Sequence, residues 1–283
     1  MTEINWLKHV QEPKYWVLGI ASGLIALHLT LAYRTNDTDR FGTMLLFWGV
    51  VAFLIWERHE SLTFESGVFA SFFGASLIAL ILLETSSISG YDLFIRTTPF
   101  SSGISLALLA SGTKGLKQYW QELLILAYTA IPPGFIGVLV DLATLTAKFS
   151  AFILHYLGFE VLRKGVFLIL EKGSVEVYHG CSGANVILQL LGMAVIFLLM
   201  FPTTVGQKIL VPLVAIISAF VVNAARVALL AVLVSLSQPE AFKYWHEGSG
   251  SVIFSMIAVF IFGLFCWFAI LKDQPPNKEE QNC

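Results

Sequence analysis

The sequence predicts an all-α integral membrane protein with about eight transmembrane helices and a small extracytoplasmic β-hairpin element. Two observations predict this class: the overall composition, and a series of apolar runs long enough to cross a bilayer. Of the 283 residues, 57% are apolar and only 13% are charged. Soluble globular domains average about 45–50% apolar and about 25% charged residues. A water-soluble enzyme, a disordered protein and a collagen-like fibre are therefore excluded.

Charge and cysteine content narrow the class of partners. The formal net charge is −2, which offers no basic surface for nucleic acid. The three cysteines, Cys181, Cys266 and Cys283, are too few for a disulfide framework. The chain has no internal repeat and no phosphate-binding glycine loop, and we predict neither a cofactor nor a metal ion. The partner that the composition does predict is the lipid bilayer.

A bilayer core of about 30 Å requires about 20 apolar residues in a helix. Eight apolar runs approach this length: 16–33, 41–56, 67–83, 97–112, 121–140, 183–201, 209–236 and 251–271. We expect Pro132-Pro133 to kink or break the fifth run. A ninth stretch, 142–157, contains Lys148 and His155 and is interpreted as interfacial or re-entrant.

These runs suggest three regions: an N-terminal multi-span region over 1–157, a second membrane region over 158–271, and a disordered tail over 272–283. Lysines and arginines are divided evenly between the two sides, so the positive-inside rule alone does not fix the orientation. The basic pair Lys114 and Lys117, together with the basic tail, favours a cytoplasmic C-terminus.

The segment 158–180 has no helical pattern. Lys164-Gly165 and Lys172-Gly173 mark turns, and β-branched and aromatic residues fill the gaps between them. We expect a small hairpin or three-stranded flap with strands near 160–163, 166–170 and 174–178. A plain connector is the alternative interpretation. In either case the segment leads directly into Cys181.

Three residues are candidates for chemistry. Cys181 opens the sixth run, where the helix dipole favours a thiolate; the alternative is a small buried apolar residue. Arg226 lies within the seventh run, where a guanidinium is costly unless it is paired or hydrated; the alternative is an arginine that snorkels to the interface. His246 lies in the next loop, with a side chain that acts as acid or base near neutral pH.

The order of the runs places these three residues on one side of the membrane. The seventh run returns to the side where Cys181 begins the sixth, and His246 follows on that same side. A thiol, an imidazole and a guanidinium suit cysteine acyl transfer as nucleophile, proton shuttle and stabiliser of the oxyanion or the substrate. His179 is a rival base, and Glu247 and Glu176 are the two alternative carboxylates for orienting His246.

These motifs resemble those of the exosortase/archaeosortase family of membrane-embedded cysteine transpeptidases. Three motifs carry the resemblance: Cys181-Ser182-Gly183 after a β-rich segment, Asn223-Ala224-Ala225-Arg226 in the next helix, and His246-Glu247-Gly248-Ser249-Gly250 before the last. The strongest match covers about 158–270. The length and the HGCSG context suggest a bacterial exosortase and are compatible with the cyanobacterial type.

The resemblance implies both an activity and a location. Cys181 corresponds to the family nucleophile, Arg226 to the family arginine and His246 to the family histidine. The implied substrates are exported proteins with a C-terminal sorting signal, such as a Pro-Glu-Pro motif, which are cleaved and transferred to an unidentified acceptor. The implied location is the bacterial inner membrane, with the active site facing the extracytoplasmic side.

Two other functions are compatible with a multi-span chain. A transporter or channel would use Arg226 as an anion site and Pro132-Pro133 to break a helix around a cavity. Such proteins commonly contain inverted repeats, which this sequence lacks. A non-catalytic accessory protein for polysaccharide export is the other alternative. Neither function requires a reactive thiol at Cys181.

Overall fold

The computed structural model describes residues 12–85 and 91–272. The described chain is mostly helical, with one small β-sheet. It divides into two compact units at Pro132–Pro133. Apart from Lys272, the tail that the sequence predicts to be disordered, 272–283, lies outside the described residues.

The described residues of the first unit form five helices. These are α1 (Pro13–Arg34), α2 (Thr38–Glu57), α3 (Val68–Glu84), α4 (Tyr91–Gly115) and α5 (Trp120–Tyr128), with a 3₁₀ turn at Leu116–Tyr119 between the last two. Asp37 caps α2 by accepting a hydrogen bond from the backbone N–H of Arg40 at 2.9 Å. This cap satisfies one of the amide groups that a helix N-terminus leaves without a partner.

Buried polar side chains connect the helices of the first unit. The His28 ring is fully buried; its Nε2 lies 2.9 Å from the carbonyl oxygen of Ile95, and its Nδ1 accepts a hydrogen bond from Trp48 at 3.1 Å. Arg58 at the end of α2 forms an ion pair with the buried Glu122 of α5. Such pairs satisfy polar groups that would otherwise be costly in an apolar environment.

The sheet and six further helices are formed by the part of the second unit that the structure describes. The helices are α6 (Gly134–Leu139), α7 (Leu142–Tyr156), α8 (Ala184–Met200), α9 (Val205–Ser235), α10 (Pro239–His246) and α11 (Ser249–Cys266), which continues as a π turn, Trp267–Leu271. Between α7 and α8 lie β1 (Leu162–Lys164), β2 (Phe167–Leu170) and β3 (Gly173–Glu176). The strands pair antiparallel in chain order, with Arg163 opposite Leu168 and Leu168 opposite Val175. The predicted flap is confirmed.

Small residues bring α8, α9 and α11 close together. Ala194, Ala215, Ala219 and Ala258 are completely buried in one apolar cluster shared by these helices. Helices in membranes gain little from hydrophobic burial against lipid, and small side chains allow the close packing that holds them together. The flap packs elsewhere, on the C-terminal half of α9, where Leu168 belongs to a second buried cluster.

Six helical segments of the described residues are long and apolar enough to cross a membrane: Lys14–Arg34, Thr38–Glu57, Leu93–Tyr128, His179–Met200, Val205–Ser235 and Ser249–Leu271. Helix α3, at the predicted span 67–83, is shorter, with 17 residues. The fifth predicted span, 121–140, is not one continuous helix, and the expected break at Pro132-Pro133 is confirmed, because the chain forms α5 and α6 with an interruption around this pair. Proline lacks the amide hydrogen and clashes with the preceding turn of a helix.

Candidate active site

The cysteine loop connects the sheet to a membrane helix. Strand β3 ends at Glu176, and the chain then forms a 3₁₀ turn over His179–Cys181, in which the Cys181 amide donates to the carbonyl oxygen of Tyr178 at 2.9 Å. Gly183 has a φ of +91° and immediately precedes α8 as its N-cap residue. The thiol residue is only 7% exposed. Cys181 therefore lies just before a helix N-terminus, as the sequence predicts.

Two neighbouring helices hold this loop through its carbonyl groups. The Asn223 amide of α9 donates to the carbonyl oxygen of Cys181 at 3.0 Å, and the Thr146 hydroxyl of α7 donates to that of Ser182 at 2.9 Å. A Cβ at position 183 would lie 2.7 Å from the Asn223 amide nitrogen. Gly183 is thus required both by its φ and by the close approach of Asn223.

His246 lies directly beside the thiol. Its Nε2 is 3.2 Å from the Sγ of Cys181. The ring stacks on Phe242, one turn earlier in α10, with a centroid separation of 5.1 Å. Its Nδ1 lies 3.5 Å from a carboxylate oxygen of the exposed Glu247. If Nδ1 carries the proton, Nε2 is free to accept the thiol proton.

The Arg226 side chain of α9 contacts the end of α10, where His246 lies, through backbone carbonyl groups. Its Nη2 donates to the carbonyl oxygen of His246 at 2.7 Å, and its Nε donates to that of Trp245 at 3.4 Å. The guanidinium is therefore paired with backbone oxygens close to the thiol and is not simply extended to the interface. Two of its donors hold the segment that presents the imidazole.

The other candidates suggested by the sequence have different environments. The ring of His179 is exposed and lies over Gly137 of α6, where a Cβ would be 2.1 Å from the ring Cε1. Glu176 is exposed and pairs in register with Phe167, so Glu247 is the carboxylate beside His246. Among the described residues, no group of three or more metal-binding side chains occurs.

Tyr178 is a residue of the site that the sequence analysis missed. Its ring lies over Gly180 of the cysteine loop and meets His246 edge to face at a centroid separation of 6.3 Å. Burial raises the pKa of the Tyr178 hydroxyl, and the charge and hydrogen bond of Cys181 raise it further. The hydroxyl therefore keeps its proton. A tyrosine three residues before a cysteine has no sequence signal of its own.

The fold and this site define an integral membrane protein with a paired thiol and imidazole next to a helix N-terminus. The family model described as transmembrane exosortase (Exosortase_EpsH) matches residues 34–263, so the chain belongs to that family. No curated protein and no solved structure matches the chain.

Membership confirms the resemblance identified from the sequence and extends it into the first unit, since the match begins at residue 34. It implies a membrane sorting enzyme of the cysteine-peptidase-like type that acts on PEP-CTERM proteins.

Proposed function

We propose that this protein is a membrane-embedded cysteine transpeptidase or protease. It cleaves the C-terminal sorting signal of exported proteins and transfers the shortened protein to an acceptor. The observation that supports this proposal best is the 3.2 Å separation between the Cys181 Sγ and the His246 Nε2. A nucleophile within hydrogen-bonding reach of a base, itself oriented by a third group, is the arrangement that covalent acyl transfer requires.

The first half-reaction forms a thioester. His246 accepts the proton of Cys181, and the thiolate attacks the scissile carbonyl carbon of the sorting signal, so that a C–S bond forms and the carbonyl oxygen becomes an oxyanion. When the intermediate collapses, the C–N bond breaks, and the departing amine takes the proton from the His246 Nε2. The substrate remains attached to Cys181.

The second half-reaction releases the substrate. An acceptor with an amine or hydroxyl group gives its proton to His246 and attacks the thioester carbonyl, and the C–S bond then breaks. Sγ takes the proton back from Nε2, which regenerates the thiol. Water in place of the acceptor gives hydrolysis, and the chemistry of the site serves both outcomes.

Arg226 acts in this proposal by holding the proton shuttle. Its hydrogen bonds to the carbonyl oxygens of His246 and Trp245 fix the backbone that carries the imidazole. Near-correct positioning of reacting groups accounts for a large part of enzymatic rate enhancement. We place the reaction at the extracytoplasmic face of a bacterial inner membrane, where exported substrates arrive.

Loss of the nucleophile tests the proposal. Cys181→Ala should abolish processing of a co-expressed protein with a PEP-CTERM signal and prevent formation of a covalent adduct between enzyme and substrate. The matched control is Cys266→Ala, which removes a thiol buried in the apolar cluster of α11 and should leave processing intact. Normal processing by the Cys181→Ala protein would refute thiol catalysis and favour a transporter or an accessory protein.

A further inference from the structure

The ring of Tyr178 folds back over the cysteine loop. Gly180 makes this possible, because a Cβ at position 180 would lie 2.6 Å from the Cε2 of the tyrosine ring. The folded ring lies beside the imidazole of His246, with the ring planes inclined at 62° and the centroids 6.3 Å apart. The tyrosine is therefore next to the imidazole whose Nε2 is 3.2 Å from the Cys181 Sγ.

The arginine beside the site is directed elsewhere. Two donor groups of Arg226, Nε and Nη2, point to the carbonyl oxygens of Trp245 and His246. The cysteine loop itself contributes the hydroxyl of Tyr178, whose pKa is raised by burial and by the neighbouring Cys181. This tyrosine is also 50% exposed, whereas the thiol residue is 7% exposed. A substrate that approaches the buried thiol therefore meets Tyr178.

We propose that Tyr178 is a further catalytic residue, whose hydroxyl donates a hydrogen bond to the Cys181 thiolate and then to the oxyanion formed on the scissile carbonyl. No proton is transferred in this interaction, so the proton balance between Cys181, His246, the leaving amine and the acceptor is unchanged. Donors placed in advance at a developing oxyanion are among the largest contributors to catalysis. The inference rests on the proposed function for its second part only; the contact with the thiolate is independent of any substrate.

The groups that face the thiol must be held constant in a test of this proposal. Besides Tyr178 these are His246, Arg226 and, behind the imidazole, Glu247. Tyr178→Phe removes one oxygen atom and retains the ring between Gly180 and His246, so the fold and these neighbours are preserved. The matched control is Tyr156→Phe, an exposed tyrosine at the end of α7.

The first measurement requires no substrate. Full-length protein in detergent is alkylated with iodoacetamide over a range of pH, and modification of Cys181 is followed by mass spectrometry. Loss of a donor to the thiolate should shift the midpoint of the alkylation profile upward by about one pH unit, while Tyr156→Phe leaves it in place. An unchanged midpoint in Tyr178→Phe would overturn the proposal, even if the chain processed no sorting signal at all.

The second measurement separates turnover from binding. Tyr178→Phe should lower kcat for signal cleavage by about 10²–10³-fold, the usual loss for one oxyanion donor, with little change in KM. A wild-type kcat in this variant would also overturn the proposal, and the role of the Tyr178 ring would then be only to shield the thiol from solvent. In that event Tyr178→Ala, which removes the cover, should accelerate alkylation of Cys181.

Discussion

The guanidinium of Arg226 donates to the backbone carbonyl oxygen of His246 at 2.7 Å. The two residues lie on different helices, since Arg226 belongs to α9 and His246 ends α10. An arginine inside an apolar helix is costly unless it is paired, and here backbone oxygens provide that pairing. The same contact determines where the imidazole lies relative to the thiol.

Arg226→Lys should therefore reduce turnover while the protein still inserts and folds. Lysine retains the charge but cannot donate from two nitrogen atoms of a planar fork to the carbonyl oxygens of Trp245 and His246. A displacement of about 1 Å at a reacting group costs about 10²-fold in rate, so we expect a loss of that size in kcat at saturating substrate. Arg34→Lys, at the exposed end of α1, is the matched control. Near-wild-type turnover would show that Arg226 is structural.

The two histidines of the site should differ in their effect on catalysis. His246→Ala should slow processing by about 10²–10⁴-fold, because it removes a general acid–base group whose Nε2 lies 3.2 Å from the thiol. His179→Ala should have a much smaller effect, since its ring lies over Gly137. Single-turnover cleavage rates of the two variants provide the comparison. If the effects were reversed, His179 would be the base.

The contact between His179 and α6 can be tested by measuring the thermal stability of variants. Gly137→Ala should lower the thermal unfolding midpoint, because the added methyl group would lie 2.1 Å from the Cε1 of His179. The destabilisation should disappear in a His179→Ala background, where the ring is absent. The measurement is a double-mutant cycle, in which the thermal unfolding midpoints of the wild-type protein, the two single variants and the double variant are compared. Equal destabilisation with and without the ring would contradict the contact.

Local patterns in the sequence were sufficient for the flap and for the grouping of the site. Lys164-Gly165 and Lys172-Gly173 lie at the turns of the observed sheet. The alternation of membrane helices predicted that Cys181, Arg226 and His246 lie on one side of the membrane, because consecutive spans run in opposite directions. The structure brings the imidazole and the guanidinium together at the thiol loop.

Contacts that depend on tertiary packing could not be predicted in this way. The spacing of Asn223 and Arg226 places both residues on the same face of α9. The hydrogen bond from the Asn223 amide to the carbonyl oxygen of Cys181, however, depends on how α9 packs against the cysteine loop. The position of Tyr178 depends on the space left by Gly180. The hydropathy of 121–140 does not distinguish one long helix from two short ones, and the break in this run was predicted only from Pro132-Pro133.

Gly183 should tolerate substitution less well than another glycine in the same unit. Gly183→Ala forces a side chain into the left-handed region at φ +91° and against Asn223, and the backbone strain alone costs about 1–2 kcal/mol. Gly206→Ala, in the first turn of α9, meets no atom within 4 Å and should be neutral or slightly stabilising. Thermal unfolding in detergent measures both. Similar midpoints would contradict the assigned role of Gly183.

The orientation of the second unit leads to the last prediction. Lys208 lies near the start of α9. Lys172 lies in the turn before β3, and β3 packs against the other end of α9, where Gly173 approaches Val234. A helix of 31 residues is about 46 Å long, more than enough to span a bilayer core of about 30 Å. The two lysines should therefore lie on opposite sides of the membrane, with Lys172 on the side of Cys181.

Labelling of single cysteines checks this arrangement in intact cells. Lys172 and Lys208 are both exposed. The substitutions Lys172→Cys and Lys208→Cys are each introduced into a chain that lacks its native cysteines. If the active site faces the extracytoplasmic side, as proposed, a membrane-impermeant maleimide should label position 172 without permeabilisation and position 208 only after it. Labelling of both positions in intact cells would contradict a transmembrane α9. Labelling of position 208 alone would place the thiol on the cytoplasmic side and would contradict the proposed action on exported proteins.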